Sequence, residues 1–376
     1  MTLVVNNKID VPGTHVLIVG VGHYPHFPGY RVGVNMLGQI DSAERGAQHV
    51  AIWFRDEFHN PERPLATMRF LLSNDQKNTW YLDNNAQLDA ATVQNFKSAY
   101  DGWMADAKAQ PGSTLVFYFS GHGIASLVQQ SLILEDFNLR PTGAMDGAIS
   151  YANLEQSVQT QSNASHAWFF VDSCRTADIE HVAGQHFGQP VSTSTAPLAK
   201  PGGPRIFTIN STLPGHSAIG KKGTPSVFSQ ALVNAFRTNA YTDRAGRRWA
   251  CVPDVIGVAI SGQIARLQTL IGLTSADCPQ PTMSMHETRT PLHYLPDGRK
   301  PRMLVDISCD PEGDNASHTI YWKQSGTQVI QAPIGQIWKT ELEPGHYDFG
   351  ALDRAGLDCK PYSTSIYSPY HSISLI

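Results

Sequence analysis

Two short stretches limit what this chain can become. Residues 115–123 read LVFYFSGHG and residues 168–176 read WFFVDSCRT. Each begins as an unbroken apolar run and stops in small polar residues plus one reactive side chain, His122 in the first and Cys174 in the second. A short apolar run without polar alternation offers no side to water, so it reads as a strand covered on both faces, as in a parallel sheet. In open sheets of that kind, ligands and reacting groups collect beyond the carboxyl ends of the strands. His122 and Cys174 both fall at that end of their run.

The rest of the chain supplies the sheet. Residues 14–22 (THVLIVGVG), 67–72 (TMRFLL), 205–210 (RIFTIN) and 282–285 (TMSM) read as further strands. Helical spacing separates them. Residues 41–58 place Ala43, Ala47, Val50, Ala51 and Phe54 on one face, with Asp41 near the helix start, where a carboxylate suits the helix dipole. Residues 88–107 do the same with Val93, Phe96, Tyr100, Trp103 and Met104, and Asp89 is the expected N-cap. Shorter helices are expected at 151–160, 227–238 and 254–270. Strand alternating with helix predicts an α/β fold, a doubly wound, mostly parallel six-stranded sheet flanked by helices, over residues 10–295. The pattern changes at residues 296–302 (PDGRKPR). Beyond it, LVDIS, TIYWKQ, QVIQA, IWKTEL and HYDFGAL alternate and are separated by turn residues, which predicts a small all-β, sandwich-like domain over 302–376. Residues 177–204 are rich in Gly, Pro, Ser and Thr and read as a surface loop.

Composition excludes several classes. The net charge of −4, without a long basic run, argues against a nucleic-acid partner, whose binding rests on clustered Lys and Arg. No stretch approaches the roughly 20 apolar residues of a membrane helix, so no membrane partner is expected. The opening MTLVVNNKID lacks the basic start and apolar core of a signal peptide. The five cysteines form no CxxC, so neither a zinc knuckle nor a disulfide framework is indicated. The expected compartment is the cytoplasm, whose reducing conditions would keep a thiol usable. His15, His23, His26, His49 and His59 form no i, i+4 pair, and no metal ligand is expected among them.

The two opening stretches carry a resemblance. Phe117-Tyr118-Phe119-Ser120-Gly121-His122-Gly123 and Asp172-Ser173-Cys174 resemble the two signature segments of the caspase-like cysteine peptidases, peptidase C14. Cys174 follows His122 by 52 positions, against about 50 in caspases. The likeness extends to the first strand, to Asp41 at the first helix and to VFSQAL at 227–232, and covers roughly residues 10–290. Animal caspases carry Gln-Ala-Cys where this chain has Asp-Ser-Cys, so it looks more like bacterial and metacaspase-like members.

The resemblance implies a Cys174–His122 dyad. An imidazole close to a thiol favours the thiolate and can later protonate the leaving amine. The backbone N–H groups of Gly123 and Cys174 would face the oxyanion. Carried over residue by residue, Asp172, Asp41 and Ser120 would line the S1 pocket. Paired carboxylates attract a cationic P1 side chain, and the guanidinium fork favours Arg over Lys. Asp41 as a helix N-cap alone stands beside that role. Lys200, Arg205, Lys221 and Lys222 become self-cleavage candidates of a zymogen. No cofactor is required for the chemistry; calcium activation through the Glu135-Asp136 pair stands beside a solvated loop. Substrates would be proteins or peptides. The C-terminal domain would dock an activating protein partner, and the family suggests regulated proteolysis in bacterial stress or antiviral defence. The competing class is a catalytically silent scaffold or interaction module.

Overall fold

The computed structural model describes residues 2–27, 31–32, 35–36, 38–80, 83–125, 129–140, 145–174, 188–192, 202–212, 220–244, 248–271, 280–285, 289–359 and 361–375. The chain divides into two compact units, Met1–Val233 with Ile264–Thr290, and Asn234–Gln263 with Pro291–Ile376.

The first unit is built on a seven-stranded sheet. Counting the strands of that sheet, they are β1 (Leu3–Asn6), β2 (Thr14–Val21), β3 (Leu65–Ser73), β4 (Thr114–Gly121), β5 (His166–Ser173), β6 (Arg205–Asn210) and β7 (Thr282–Met285). Their spatial order is β1-β3-β2-β4-β5-β6-β7. The five inner strands run parallel, and the two edge strands β1 and β7 are antiparallel. The sequence predicts six strands; the seventh is β1. Its four residues are only partly buried and lean on one neighbour, so the apolar signal there is three residues long.

Every residue of β2, β4 and β5 is buried, as unbroken apolar runs demand. α1 (Asp41–Asp56) and α2 (Val93–Ala109) pack on the sheet. The other helices are α3 (Tyr151–Gln161), α4 (Val227–Arg237) and α5 (Pro253–Ile271). Alternate strand residues face opposite layers. Leu17, Val19, Phe117, Phe119, Phe169 and Val171 join Phe96, Tyr100 and Trp103 of α2 and Leu154 and Val158 of α3 in one apolar cluster. Tyr118 faces α1 instead, where a Cβ added to Gly46 would lie 3.4 Å from its hydroxyl. Burying one large side chain contributes about 1.5–3 kcal/mol, and these layers set the strand tips firmly in place.

α2 begins later than its spacing predicts. Its N-cap is Thr92, whose Oγ1 accepts from Asn95 N at 3.2 Å. Asp89 is not the cap: its carboxylate takes the Thr2 hydroxyl and its carbonyl takes Leu72 N at 3.1 Å. Residues 88–92 are apolar enough to mimic a helix start, but β3 claims their backbone.

In the second unit, Met303–Cys309 pairs antiparallel with Trp338–Leu342 and parallel with Tyr370–Leu375. A four-stranded sheet orders Thr327–Gln331, Thr319–Gln324, Gly345–Leu352 and Tyr362–Ile366. Apart from the exposed Thr327–Gln331, the strands from Met303 onward share one apolar cluster, including Val305, Ile307, Ile320, Phe349, Ile366 and Ile373. Two of these strands, Tyr362–Ile366 and Tyr370–Leu375, add to the five runs read from sequence. Serine-rich YSTSI and YHSISL carry too little apolar alternation to announce themselves.

Candidate active site

β4 and β5 are adjacent and parallel, and their last paired rungs are Ser120–Asp172 and Gly121–Ser173. His122 and Cys174 are the next residue of each strand, so the two leave the sheet side by side. Neighbouring strands are only about 4.8 Å apart. After His122 the chain continues into a second small sheet, Gly123–Ala125 against Gln130–Ile133. Gly123 lies hard against the other tip: a Cβ there would sit 2.6 Å from the Cys174 carbonyl oxygen and 2.8 Å from Ser173 Oγ. Only glycine permits that approach. Gln130 Nε2 donates to Ser173 Oγ at 2.8 Å, and the Thr212 hydroxyl donates to the Ser173 carbonyl at 3.2 Å. Cys174 itself is half-buried and in no disulfide.

His122 is buried, and its ring packs against Tyr24 and Phe27 at centroid distances of 5.0 and 5.5 Å. Its Nε2 lies 2.7 Å from the Gly38 carbonyl oxygen. A carbonyl only accepts, so Nε2 carries the proton, and the neutral ring keeps its lone pair on Nδ1. Burial pulls the imidazole below its usual pKa, and the Gly38 bond only partly opposes this. The group therefore rests neutral at pH 7.

Tyr24 holds this arrangement from below. Its hydroxyl accepts from His122 N at 2.8 Å and donates to the Ile133 carbonyl at 3.4 Å. The Gln39 amide clasps the Tyr24 backbone in return, Oε1 accepting from Tyr24 N at 2.6 Å and Nε2 donating to Tyr24 O at 2.9 Å. Gln39 adjoins Gly38, so one short loop fixes both the tyrosine and the carbonyl that orients the ring. Tyr24, Phe27, Gly38 and Gln39 escape sequence reasoning. Their loop reads only as rich in Gly, Pro and His, and the one available signal is three aromatics and a Gln in a stretch otherwise built for turns.

Asp172 and Ser120 meet as their shared rung requires, Ser120 Oγ donating to Asp172 Oδ2 at 3.2 Å. Ser229 Oγ also donates to Oδ2, at 3.3 Å, and Ser226 Oγ donates to the same oxygen. Oδ1 is buried and has no hydrogen-bond partner among the described residues. Burial raises the Asp172 pKa, and the surrounding serine hydroxyls counter part of that rise. The result is a buried carboxylate with three serine hydroxyls on Oδ2 and, among the described residues, no hydrogen bond on Oδ1. The sequence argument gives Ser226 and Ser229 no role, although Ser229 lies inside VFSQAL and Ser226 directly precedes it.

Asp41 has different company. It is the first helical residue of α1 and not its N-cap, which is Ile40. Its Oδ2 accepts from Gly223 N at 2.7 Å and from Arg45 Nε at 3.4 Å. Of the basic loop residues, Lys221 and Lys222 lie in an exposed turn, while Arg205 opens β6 with its N–H bonded to the Ser165 carbonyl at 2.9 Å. Lys200, Arg175 and most of the loop at 177–204 lie outside the described residues. Glu135 accepts from Ser73 Oγ, and Asp136 accepts from Val93 N at 3.1 and 3.2 Å, which places it at the start of α2. Among the described residues, no group of three His, Cys, Asp or Glu side chains is arranged to hold a metal ion. No described helix is long and apolar enough to cross a membrane.

A mostly parallel sheet with helices packed on it, carrying a Cys and a His at adjacent strand ends, defines a class, α/β proteins. The family is narrower: residues 14–246 match the caspase domain of peptidase C14, and the chain belongs to that family. Membership points to a protease-type hydrolase. An uncharacterized protein of Sinorhizobium fredii, y4kE, is 24% identical over 269 residues, which cover 69% of this chain and 73% of that protein. The crystal structure of protein GSU0716 from Geobacter sulfurreducens is similar at 15% identity with a TM-score of 0.45, covering 76% of this chain and 98% of the other.

Proposed function

We propose that the protein is a cysteine endopeptidase that cleaves after basic residues, Arg in preference to Lys. The observation that carries this is the pair of rungs at the ends of β4 and β5. One rung joins Ser120 to Asp172, and the strands then end in His122 and Cys174.

Neutral His122, with its lone pair on Nδ1, takes the Cys174 proton as the sulfur attacks the scissile carbonyl. The C–N bond breaks as the imidazolium returns that proton to the leaving amine, and water then releases the acyl group from sulfur. The N–H groups of Gly123 and Cys174 serve the oxyanion. Asp172 Oδ1, which accepts no hydrogen bond among the described residues, receives the P1 guanidinium or ammonium. An Asp at P1 would bring a second carboxylate against Asp172 and be repelled.

Regulation completes the proposal. Lys221 and Lys222, in an exposed turn, are sites where a basic-specific enzyme can cut itself, with Lys200 and Arg205 as further candidates. The C-terminal unit, read as a sandwich-like accessory domain over 302–376, serves an activating partner. Calcium dependence and a cytoplasmic role in stress or antiviral defence belong to the same reading.

The test is a positional peptide-reporter profile with wild type and Cys174→Ala, with and without calcium. Hydrolysis of Arg-P1 reporters, abolished in Cys174→Ala, is expected. Cleavage after Asp but not Arg would overturn the pocket assignment. Failure of a covalent arginyl inhibitor to label Cys174 under every activating condition would favour the silent scaffold.

A further inference from the structure

α4 starts at the Asp172 carboxylate. Ser226 is its N-cap, since Ser226 Oγ accepts from Ser229 N at 3.0 Å. The same oxygen donates its proton to Asp172 Oδ2. One hydroxyl thus relays an orphan N–H of the first helical turn onto a buried carboxylate. The positive end of the helix reaches Asp172 through a single atom. That donation falls on Oδ2, and among the described residues Oδ1 accepts no hydrogen bond.

Ser226 is held there by α1. Ser226 N donates to the Ser42 carbonyl at 3.1 Å, and three residues earlier Gly223 N donates to Asp41 Oδ2 at 2.7 Å. Between them Thr224 closes a turn on Lys221, its N and Oγ1 donating to that carbonyl at 3.1 and 2.9 Å. Asp41 is thereby engaged with backbone and with Arg45, at the root of the segment that delivers Ser226. Gly46 leaves the space for this: a Cβ there would meet Ser229 Oγ at 2.1 Å.

We propose that Ser226 is a specificity-determining residue of the S1 pocket, holding Asp172 Oδ2 so that Oδ1 presents to a cationic P1 group, and that Asp41 is a positioning residue that anchors Ser226 through Gly223 rather than a second charge offered to substrate. The inference rests on the basic-P1 reading above. It assigns the recognition charge to one carboxylate, set by a helix cap, and gives Asp41 a role that needs only an acceptor oxygen.

The experiment compares kcat and KM for two reporters that differ only at P1, Arg against its neutral isostere citrulline, with active sites counted by covalent labelling of Cys174. Ser226→Ala should lower the Arg/citrulline ratio of kcat/KM by about ten-fold, the scale of one hydrogen bond to a charged group. The loss should fall on KM for Arg and leave citrulline unchanged. Ser226→Thr, which keeps the hydroxyl, should restore the ratio. Asp41→Asn keeps an acceptor for Gly223 N and should stay within about two-fold of wild type, whereas Asp41→Ala should match Ser226→Ala. A direct S1 carboxylate predicts the opposite, Asn as damaging as Ala, and that result overturns the role given to Asp41. An unchanged ratio in Ser226→Ala, or an equal fall for both reporters, overturns the role given to Ser226. Wild type that cuts neither reporter, or citrulline as fast as Arg, removes the basic-P1 reading and this inference with it. Wild-type preference for Arg with unresponsive variants removes the inference alone.

Discussion

Tyr24→Phe isolates one atom. The ring stays, stacked on Phe27 at 4.3 Å with planes 7° apart, so neither a cavity nor a change of layer is introduced. The hydroxyl goes, and with it the acceptor for His122 N at 2.8 Å. Its own donation to the Ile133 carbonyl is long, 3.4 Å, and costs little to lose. The His122 N–H is left in a buried site without its partner, and a buried unsatisfied donor costs about 1–3 kcal/mol. The expected destabilisation is about 2 kcal/mol, read by urea denaturation at neutral pH with an unchanged dependence on urea. Activity should suffer beyond stability. The same bond fixes the backbone of the residue that carries the base, and misplacement by about 1 Å can cost a reaction on the order of 100-fold. We expect kcat for an Arg-P1 reporter to fall about 10- to 100-fold with KM nearly constant, because among the described residues Tyr24 bonds to His122, Ile133 and Gln39 and to none of the groups assigned to P1. A variant within about 0.5 kcal/mol of wild type and with full kcat would refute the reasoning, showing that the tyrosine hydroxyl does not position His122.

Three further predictions follow from the same geometry. Gly123→Ala sets a methyl 2.6 Å from the Cys174 carbonyl oxygen, so backbone must move; a loss of about 1–3 kcal/mol in denaturation and near-complete loss of reporter turnover are expected. Burial lowers the His122 pKa, so the base is neutral until the pH drops below the ordinary histidine value of 6.5; the acid limb of kcat/KM on an uncharged-P1 reporter should lie below that pH. The same shift means the folded state binds this proton less readily than the unfolded chain, so the His122 contribution to stability is full above 6.5 and is lost as pH falls below 6.5 toward the lowered folded value. Glu44, buried beside Gly22 with Asp75 and Asp41 nearby, has its pKa raised from 4.5 to about 8, first by burial and then by those carboxylates. Its neutral form therefore stabilises the fold at low pH, and that contribution disappears as pH rises through 8. Glu44→Gln keeps the neutral shape, so wild type should lose on the order of 2–3 kcal/mol relative to the variant between pH 6 and pH 9 in paired denaturation curves; parallel pH dependences would contradict this.

Sequence alone determined what short-range pattern can encode. The runs LVFYF and WFFV have no polar side, and every residue of β4 and β5 is buried. Glycine and serine at their ends mark where the strands stop, and the family motifs they contain identify the caspase domain. Where apolar signal was thin the pattern failed: β1 offers three apolar residues at an edge, and the last two strands are interrupted by serines. Tertiary structure decided everything that depends on residues far apart in the chain. The Gly38 carbonyl meets His122 across 84 positions, and the Gly223 N–H meets Asp41 across 182. No local preference encodes either bond, because each exists only when separate loops settle on the same strand tips. Ser226 is the sharpest case: in sequence it is a plausible helix cap, and packing alone puts that cap on the Asp172 carboxylate.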